Sequence, residues 1–312
     1  MSPSVAQLSF NGILAASRSK FRNLNAKKIG ATPKKTRTTS ASSCPQEYVD
    51  LAHDLADTAG KITSQYFRKP LDVESKSDAS PVTIADRAAE EAMRSVINKR
   101  FPTHSVYGEE FGLDLRDSES VWVLDPIDGT KSFITGKPVF GTLVAFVEEG
   151  SPVLGVIDQP ITKERWVGAA GRVTTLNNKE ISTRTCGSLT NAYMYSTTPL
   201  MFSGDSLEAY QRLAEQVRIP LYGCDCYAYG LLSSGFCDVV AEADMKPYDY
   251  MALVPVVQGA GGVMTDWQGN PLKLNTTILT QQECTSSLAG EVLASGDAQT
   301  HAEALQALAW SN

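Results

Sequence analysis

Val121-Trp122-Val123-Leu124-Asp125-Pro126-Ile127-Asp128-Gly129-Thr130 joins four consecutive apolar residues to two carboxylates three positions apart. Four apolar residues in a row leave no solvent face, so Val121 to Leu124 reads as a fully buried strand. The continuation reads as a Pro- and Gly-shaped turn at the strand's carboxyl end, where the crevices of open α/β sheets lie. Asp125 and Asp128 can both point into one crevice there, while the amides of Gly129 and Thr130 face the same space. That describes a hard-cation site with an anion cradle beside it, although a D-x-x-D turn can also use its acids as local backbone caps.

Upstream, Leu51, Leu55, Ala59, Ile62 and Tyr66 recur at three- and four-residue steps, predicting a helix with one buried face over Glu47 to Lys69, ended by Pro70. Ala88, Ala89, Ala92, Met93, Val96 and Ile97 mark a second helix, with Asp86 at its start and Phe101-Pro102 at its close. Ser105 to Gly108 reads as a short strand. Downstream, Phe140 to Val147, Ser151 to Gln159 and Arg165 to Ala169 read as an antiparallel meander. From Asn191 on, strand-like runs (Ala192 to Ser196, Leu221 to Gly223, Asp238 to Ala241, Val263 to Asp266, Val292 to Ala294) alternate with helical ones. The helices are predicted over Ser206 to Val217, Tyr227 to Ser233, Tyr248 to Gln258 and Ala298 to Trp310. That alternation predicts a mixed sheet with helices on both faces, hence an α/β (α+β) fold.

Further acids fall at element ends: Glu109 and Glu110 after Gly108, Asp86 at a helix start, and Asp249 at another. Each alone could be a surface acid or a helix cap. Together, with no neighbouring His or Cys, they suit Mg2+, which prefers oxygen ligands and keeps waters for a phosphate to displace.

The chain has 312 residues, 42% hydrophobic and 20% charged, with a formal charge of −7, and no run of 18 apolar residues exists to span a bilayer. A soluble protein with no membrane partner is expected. The first 46 residues hold no acid but eight basic residues, together with abundant Ser and Thr. That is the composition of an organelle transit peptide, here residues 1–45 and disordered, its Ser and Thr pointing to a plastid over a mitochondrion; the alternative is a disordered basic tail for nucleic acid or membrane. The remainder, 46–312, reads as one unit with an N-terminal α+β lobe (about 46–188) and a C-terminal α/β lobe (about 189–312). Its 20 basic against 35 acidic residues exclude a nucleic-acid partner. Dinucleotide binding is excluded because Gly259 to Gly262 follows a helix instead of opening one. The cysteines (Cys44, Cys186, Cys224, Cys226, Cys237, Cys284) form no C-x-x-C pair and are read as reduced.

These residues carry a resemblance. G-E-E at Gly108 to Glu110, W-V-L-D-P-I-D-G-T at Trp122 to Thr130, and Y-D followed by G-A-G-G at Tyr248 to Gly262 are similar to the inositol monophosphatase-like superfamily of Mg2+-dependent phosphatases. Lys131 to Leu143 and Lys246 to Gly262 resemble its histidinol-phosphate phosphatase branch, of which a plant plastid form would fit the leader. The resemblance implies a layered α-β-α-β-α sandwich of the inositol monophosphatase/fructose bisphosphatase type, a homodimer, and two or three Mg2+ per subunit. One metal would be held by Glu109, Asp125 and the carbonyl of Ile127, and a second by Asp125, Asp128 and Asp249, with a third, weaker position near Glu109. Asp86 and Thr130 resemble the pair that orients and deprotonates the attacking water. Lys76 resembles a lysine near the metal waters, in a loop one residue shorter than in inositol-specific members. Those members place Trp where this chain has Tyr248.

Substrate contacts are expected from Asp128, Gly129, Thr130, Glu242, Asp244 and Asp249. Glu242 stands where relatives hold a substrate's hydroxyls, and with Asp244 it would select the ammonium of histidinol. The expected reaction is hydrolysis of histidinol phosphate in the chloroplast stroma, in histidine biosynthesis. The alternatives are an inositol, galactose or nucleotide 3′-phosphate phosphatase, or a catalytically dead relative serving as a scaffold. The full set Asp86, Glu109, Asp125, Asp128, Thr130 and Asp249 disfavours the last.

Overall fold

The computed structural model describes residues 43–70, 73–75, 81–275 and 290–309, which fall within one compact unit, Ala41–Asn312. Residues 1–42 of the leader, Lys76, Cys284 and Trp310 lie outside the described residues; of its end, Cys44 is buried and its N–H donates to the Ala170 carbonyl (3.1 Å), so the leader reading does not extend to it.

Two long helices come first, α1 (Gln46–Tyr66) and α2 (Ile84–Arg100), separated by the paired strands β1 (Val73–Ser75) and β2 (Pro81–Thr83). Then follow β3 (Ser105–Gly108), β4 (Gly112–Asp114), β5 (Ser120–Asp128), the helical turn α3 (Thr130–Ile134), β6 (Gly141–Glu148), β7 (Ser151–Gln159), β8 (Glu164–Ala169) and the short β9 (Thr175–Leu176) and β10 (Lys179–Glu180). These strands form one sheet in the order β10-β9-β8-β7-β6-β5-β3-β4, with β6 to β8 the expected antiparallel meander. A second sheet holds β11 (Tyr193–Ser196), β12 (Ile219–Tyr222), β13 (Val239–Glu242), β14 (Val263–Asp266) and β15 (Val292–Ser295) in the order β12-β11-β13-β15-β14. Its β11–β12 and β11–β13 pairs are parallel and the others antiparallel, so it is mixed, as the alternation implied. Between and around these strands run α4 (Gly204–Ala214), α5 (Tyr227–Ser233), α6 (Pro247–Tyr250), α7 (Leu253–Gly259) and the final helix Ala298–Leu308.

Three hydrophobic cores stack these elements into five layers. One face of the first sheet (Trp122, Leu124, Val144, Phe146) meets Leu51, Leu55, Met93 and Ile97 of α1 and α2. Its other face (Val121, Val123, Leu143, Ile157) meets Tyr229 and Leu232 of α5 and Val256 and Val257 of α7, which also cover Val240 and Met264 of the second sheet. The far face of that sheet (Met194, Val239, Leu293) packs on Leu213 of α4 and Leu308 of the final helix. The order is α-β-α-β-α. Strands with apolar residues on both faces are buried on both sides, which is why β5 and β6 read as continuous apolar runs.

The middle layer lies close on the first sheet because Gly155 and Gly168 are cross-strand partners. A Cβ on Gly155 would run into the carbonyl of Ala252, and one on Gly168 into the backbone at Pro255.

Two expectations are corrected. The predicted helix over Tyr248 to Gln258 is two helices, α6 and α7, joined through Met251 and Ala252. Pro255 has no N–H to give the Met251 carbonyl, so the helix restarts with proline in its first turn. And β5 does not stop at Leu124: it continues to Asp128, with a register shift between Asp125 (opposite Leu143) and Asp128 (opposite Gly141). Three steps on one strand against two on the other make a β-bulge, which accommodates Pro126 and re-aims the acids.

Candidate active site

The bulge brings Asp125 and Asp128 together with Asp249 from the first turn of α6, placing one oxygen of each within 4.8 Å of the others. Each carboxylate is held by a backbone N–H. Asp125 Oδ1 accepts from Ile127 N (3.0 Å), Asp128 Oδ2 from Cys226 N (2.7 Å) and Asp249 Oδ2 from Lys246 N (2.6 Å). Thr142 Oγ1 donates to the Pro126 carbonyl (2.9 Å) and ties the bulge to β6. Gly129, at φ 82, turns the chain out of β5 into α3 in a conformation other residues adopt at a cost. The Thr130 hydroxyl donates to the Ile127 carbonyl (3.2 Å).

The electrostatics are those of buried acids pressed together. Asp125 is 1% exposed, and its carboxyl is pushed far up, first by burial and then by repulsion from Glu109, Asp128 and Asp249. Asp128 is raised by burial and by Asp225 and Asp249, against the opposing hydrogen bond from Cys226. Burial pushes Asp249 up to about 8 in spite of its Lys246 bond. Glu109 therefore belongs to the cluster; its own backbone N–H is fixed to the Leu124 carbonyl (3.1 Å). Asp86 is next in line. Its Oδ2 accepts from Thr83 N (2.8 Å) and Thr83 Oγ1 (2.6 Å), capping α2, while its buried Oδ1 has no partner. Burial, opposed by the Thr83 bonds, pushes its pKa up to about 6. Asp86 and Thr130 are thus not joined by a hydrogen bond, each hydroxyl or carboxylate oxygen having taken a local partner or none.

A divalent cation fits this donor set. The acids offer only oxygen, one oxygen from each of the three converges within 4.8 Å, and Asp86, whose buried Oδ1 is orphaned, feels the charge of Glu109, so a positive charge would lower the cost of holding them together. The Ile127 carbonyl keeps a second lone pair besides the one facing Thr130.

Beyond the triad, a cavity of about 190 Å3 is lined by Asp128, Asp225, Tyr229, Glu242, Asp244 and Asp249, among others. Glu242 is 3% exposed, and both its oxygens are occupied: Oε1 by Thr197 N (2.9 Å) and the Thr197 hydroxyl, Oε2 by Tyr229 OH (2.8 Å). Asp244 lies at the mouth with its side chain 82% exposed, paired to Lys246 Nζ at 3.0 Å. Of the pair expected to grip an ammonium, Glu242 is thus already hydrogen-bonded on both oxygens, with a lone pair left on Oε2, and Asp244 is solvated and already paired. A larger cavity, about 560 Å3, opens elsewhere between α1 and β7–β8. Its Arg165 is spent on Asp158 (2.6 Å) and Asp57 (2.7 Å), and it lacks converging free acids.

Three supporting residues escaped the sequence reading. Glu90, fully buried on α2, accepts from Arg94 Nε (2.8 Å), Glu110 N (2.8 Å) and Phe111 N (3.2 Å), and so holds the turn that carries Glu109. Its signal was an acid on the stripe of Asp86, Met93 and Ile97, the buried face of the helix. Cys226 entered only among the cysteines that form no C-x-x-C pair, and Asp225 stands in none of the quoted motifs. The five described cysteines are free thiols, and no described helix is long and apolar enough to cross a membrane.

Comparison with known proteins agrees with this geometry. The model of the inositol monophosphatase family matches residues 45–310. A chloroplastic bifunctional phosphatase, IMPL2, from Arabidopsis thaliana is 51% identical over 265 residues, covering 84% of this chain and 75% of that protein. A histidinol-phosphatase from Chlorobaculum parvum is 34% identical over 223 residues, covering 71% and 86%. The structure of an inositol monophosphatase from Zymomonas mobilis superposes with a TM-score of 0.74 at 45% identity, over 84% of this chain and 98% of that one. The chain belongs to the inositol monophosphatase family.

Proposed function

We propose that the protein is a Mg2+-dependent phosphomonoesterase that hydrolyses histidinol phosphate to histidinol and phosphate, as a homodimer in the chloroplast stroma. The observation that carries the phosphatase reading is the convergence of Asp125, Asp128 and Asp249 within 4.8 Å, with Glu109 and Asp86 beside them. Glu109, Asp125 and the Ile127 carbonyl would hold one Mg2+, and Asp125, Asp128 and Asp249 another. Bound there, the ions neutralise phosphoryl charge and make water nucleophilic near neutral pH. The chain's own residues do the rest. The Gly129–Thr130 turn seats the phosphoryl group at the start of α3. Asp86, its Oδ1 unfilled and its pKa about 6, orients the attacking water together with Thr130 and takes up its proton. No covalent enzyme intermediate is needed, since in-line attack depends on positioning and charge.

For the substrate, support comes from the likeness to IMPL2 and the histidinol-phosphatases and from Tyr248 in place of Trp. The 45% identity to the Zymomonas inositol monophosphatase favours a second reading, inositol 1-phosphate as substrate. Steady-state phosphate release from the two esters, side by side with and without Mg2+, separates them. Comparable kcat/KM values would refute the histidinol assignment, and Mg2+-independent turnover would refute the mechanism. The plastid reading is tested by fusing residues 1–45 to a fluorescent protein, for which cytosolic signal would count against it.

A further inference from the structure

The reading of the site as a histidinol-phosphate phosphatase leaves the substrate's ammonium without a partner, and this inference rests on that reading. Histidinol phosphate is a vicinal amino-alcohol ester, so its charged nitrogen lies only a few bonds from the ester oxygen. A carboxylate that recognises it has to border the phosphate site itself, not the distant rim.

Asp225 meets that requirement. It sits in the turn between β12 and α5, at a left-handed φ of 46, a conformation rare for residues other than Gly, Asn and Asp. Its carboxylate rests on the metal-binding loop: a Cβ on Gly129 would lie 2.8 Å from Asp225 Cγ. The next residue in the same turn, Cys226, fixes Asp128 through its N–H. Asp225 Oδ2 accepts from the Ser132 hydroxyl, its one hydrogen-bond partner among the described residues, and the side chain lines the cavity shared by Asp128 and Asp249. The nearby cations Lys131 and Lys137 close no ion pair with it; Lys137 Nζ instead donates to the Gly223 carbonyl. Among the described cavity acids outside the triad, Glu242 is hydrogen-bonded on both oxygens and Asp244 is exposed and paired, whereas Asp225 combines enclosure with a whole oxygen, Oδ1, to which no described group donates.

We propose that Asp225 is the specificity-determining carboxylate, binding the leaving group's ammonium through Oδ1 in a charge-assisted hydrogen bond. Asp225→Asn removes the charge and tolerates left-handed φ, and Asp225→Gly suits that φ without restriction, so both variants preserve the turn. The readout is the ratio of kcat/KM for histidinol phosphate to that for its des-amino analogue, imidazolylpropyl phosphate, measured with Mg2+. In the wild type the ratio should be at least about tenfold, as a charge-assisted bond predicts; in both variants it should fall toward unity. An equal loss on both esters would overturn the proposal, showing Asp225 to be a strut under Gly129. A preserved ratio would overturn it too. A wild-type ratio near unity would instead refute the amine-ester reading on which the proposal rests.

Discussion

Replacing Glu90 by Gln tests whether a residue that touches no substrate sets the strength of the metal site. In the wild type, Oε1 accepts from Arg94 Nε and Phe111 N, and Oε2 from Glu110 N, all in a fully buried position. An amide keeps the shape but has one acceptor. If its oxygen takes the Oε1 place, its NH2 faces the Glu110 N–H, and one buried donor goes unsatisfied at a cost of about 1–3 kcal/mol. The Arg94 bond also loses its charge assistance, about 1 kcal/mol more. A total of roughly 2–4 kcal/mol follows, read as a lower urea midpoint at unchanged slope. Because the turn held by Glu90 carries Glu109, about 1.4 kcal/mol of that loss passed on to the metal site would raise the Mg2+ concentration for half-maximal phosphate release about tenfold. A midpoint within about 0.5 kcal/mol of wild type, together with an unshifted Mg2+ curve, would refute the clamp. A lower midpoint with an unshifted curve would refute its coupling to the site.

Asp125→Asn should cut turnover by more than tenfold, a barrier increase above about 1.4 kcal/mol, because an amide could not neutralise the cations that this carboxylate would hold under the proposed function; retention of a tenth of kcat refutes that role. Gly155→Ala should lower the melting temperature by several degrees, since its methyl group must displace the Ala252 carbonyl, at about 1–3 kcal/mol for overpacking; an unchanged Tm refutes the close approach. His301, bonded to Thr265 (3.0 Å) and Ser295 (3.1 Å), is held by burial down to about 4, below its ordinary 6.5. A depressed histidine pKa makes stability fall as pH drops below the unfolded value, so wild type should lose about 2 kcal/mol more than His301→Gln between pH 7 and 5; parallel pH slopes in urea melts refute it.

The local pattern determined most of the architecture. Apolar steps of three and four placed α1 and α2, continuous apolar runs placed β5 and β6, and the acids at element ends pointed to one oxygen-rich site. All of these depend on neighbours within one or two turns of chain, which periodicity reports directly. Even the split of the predicted Tyr248 to Gln258 helix was written locally, in the missing N–H of Pro255. What only the tertiary structure decided is which acids are spent and which are free. Glu90 reaches amides 20 and 21 positions on, Glu242 is filled by a threonine 45 positions back, and Asp225 meets Ser132 across 93 residues. A carboxylate looks the same in the sequence whether it caps a turn, braces a loop or faces a cavity. Its role follows from the donors that folding brings within about 3 Å of it, and those donors come from elements whose adjacency no local pattern encodes.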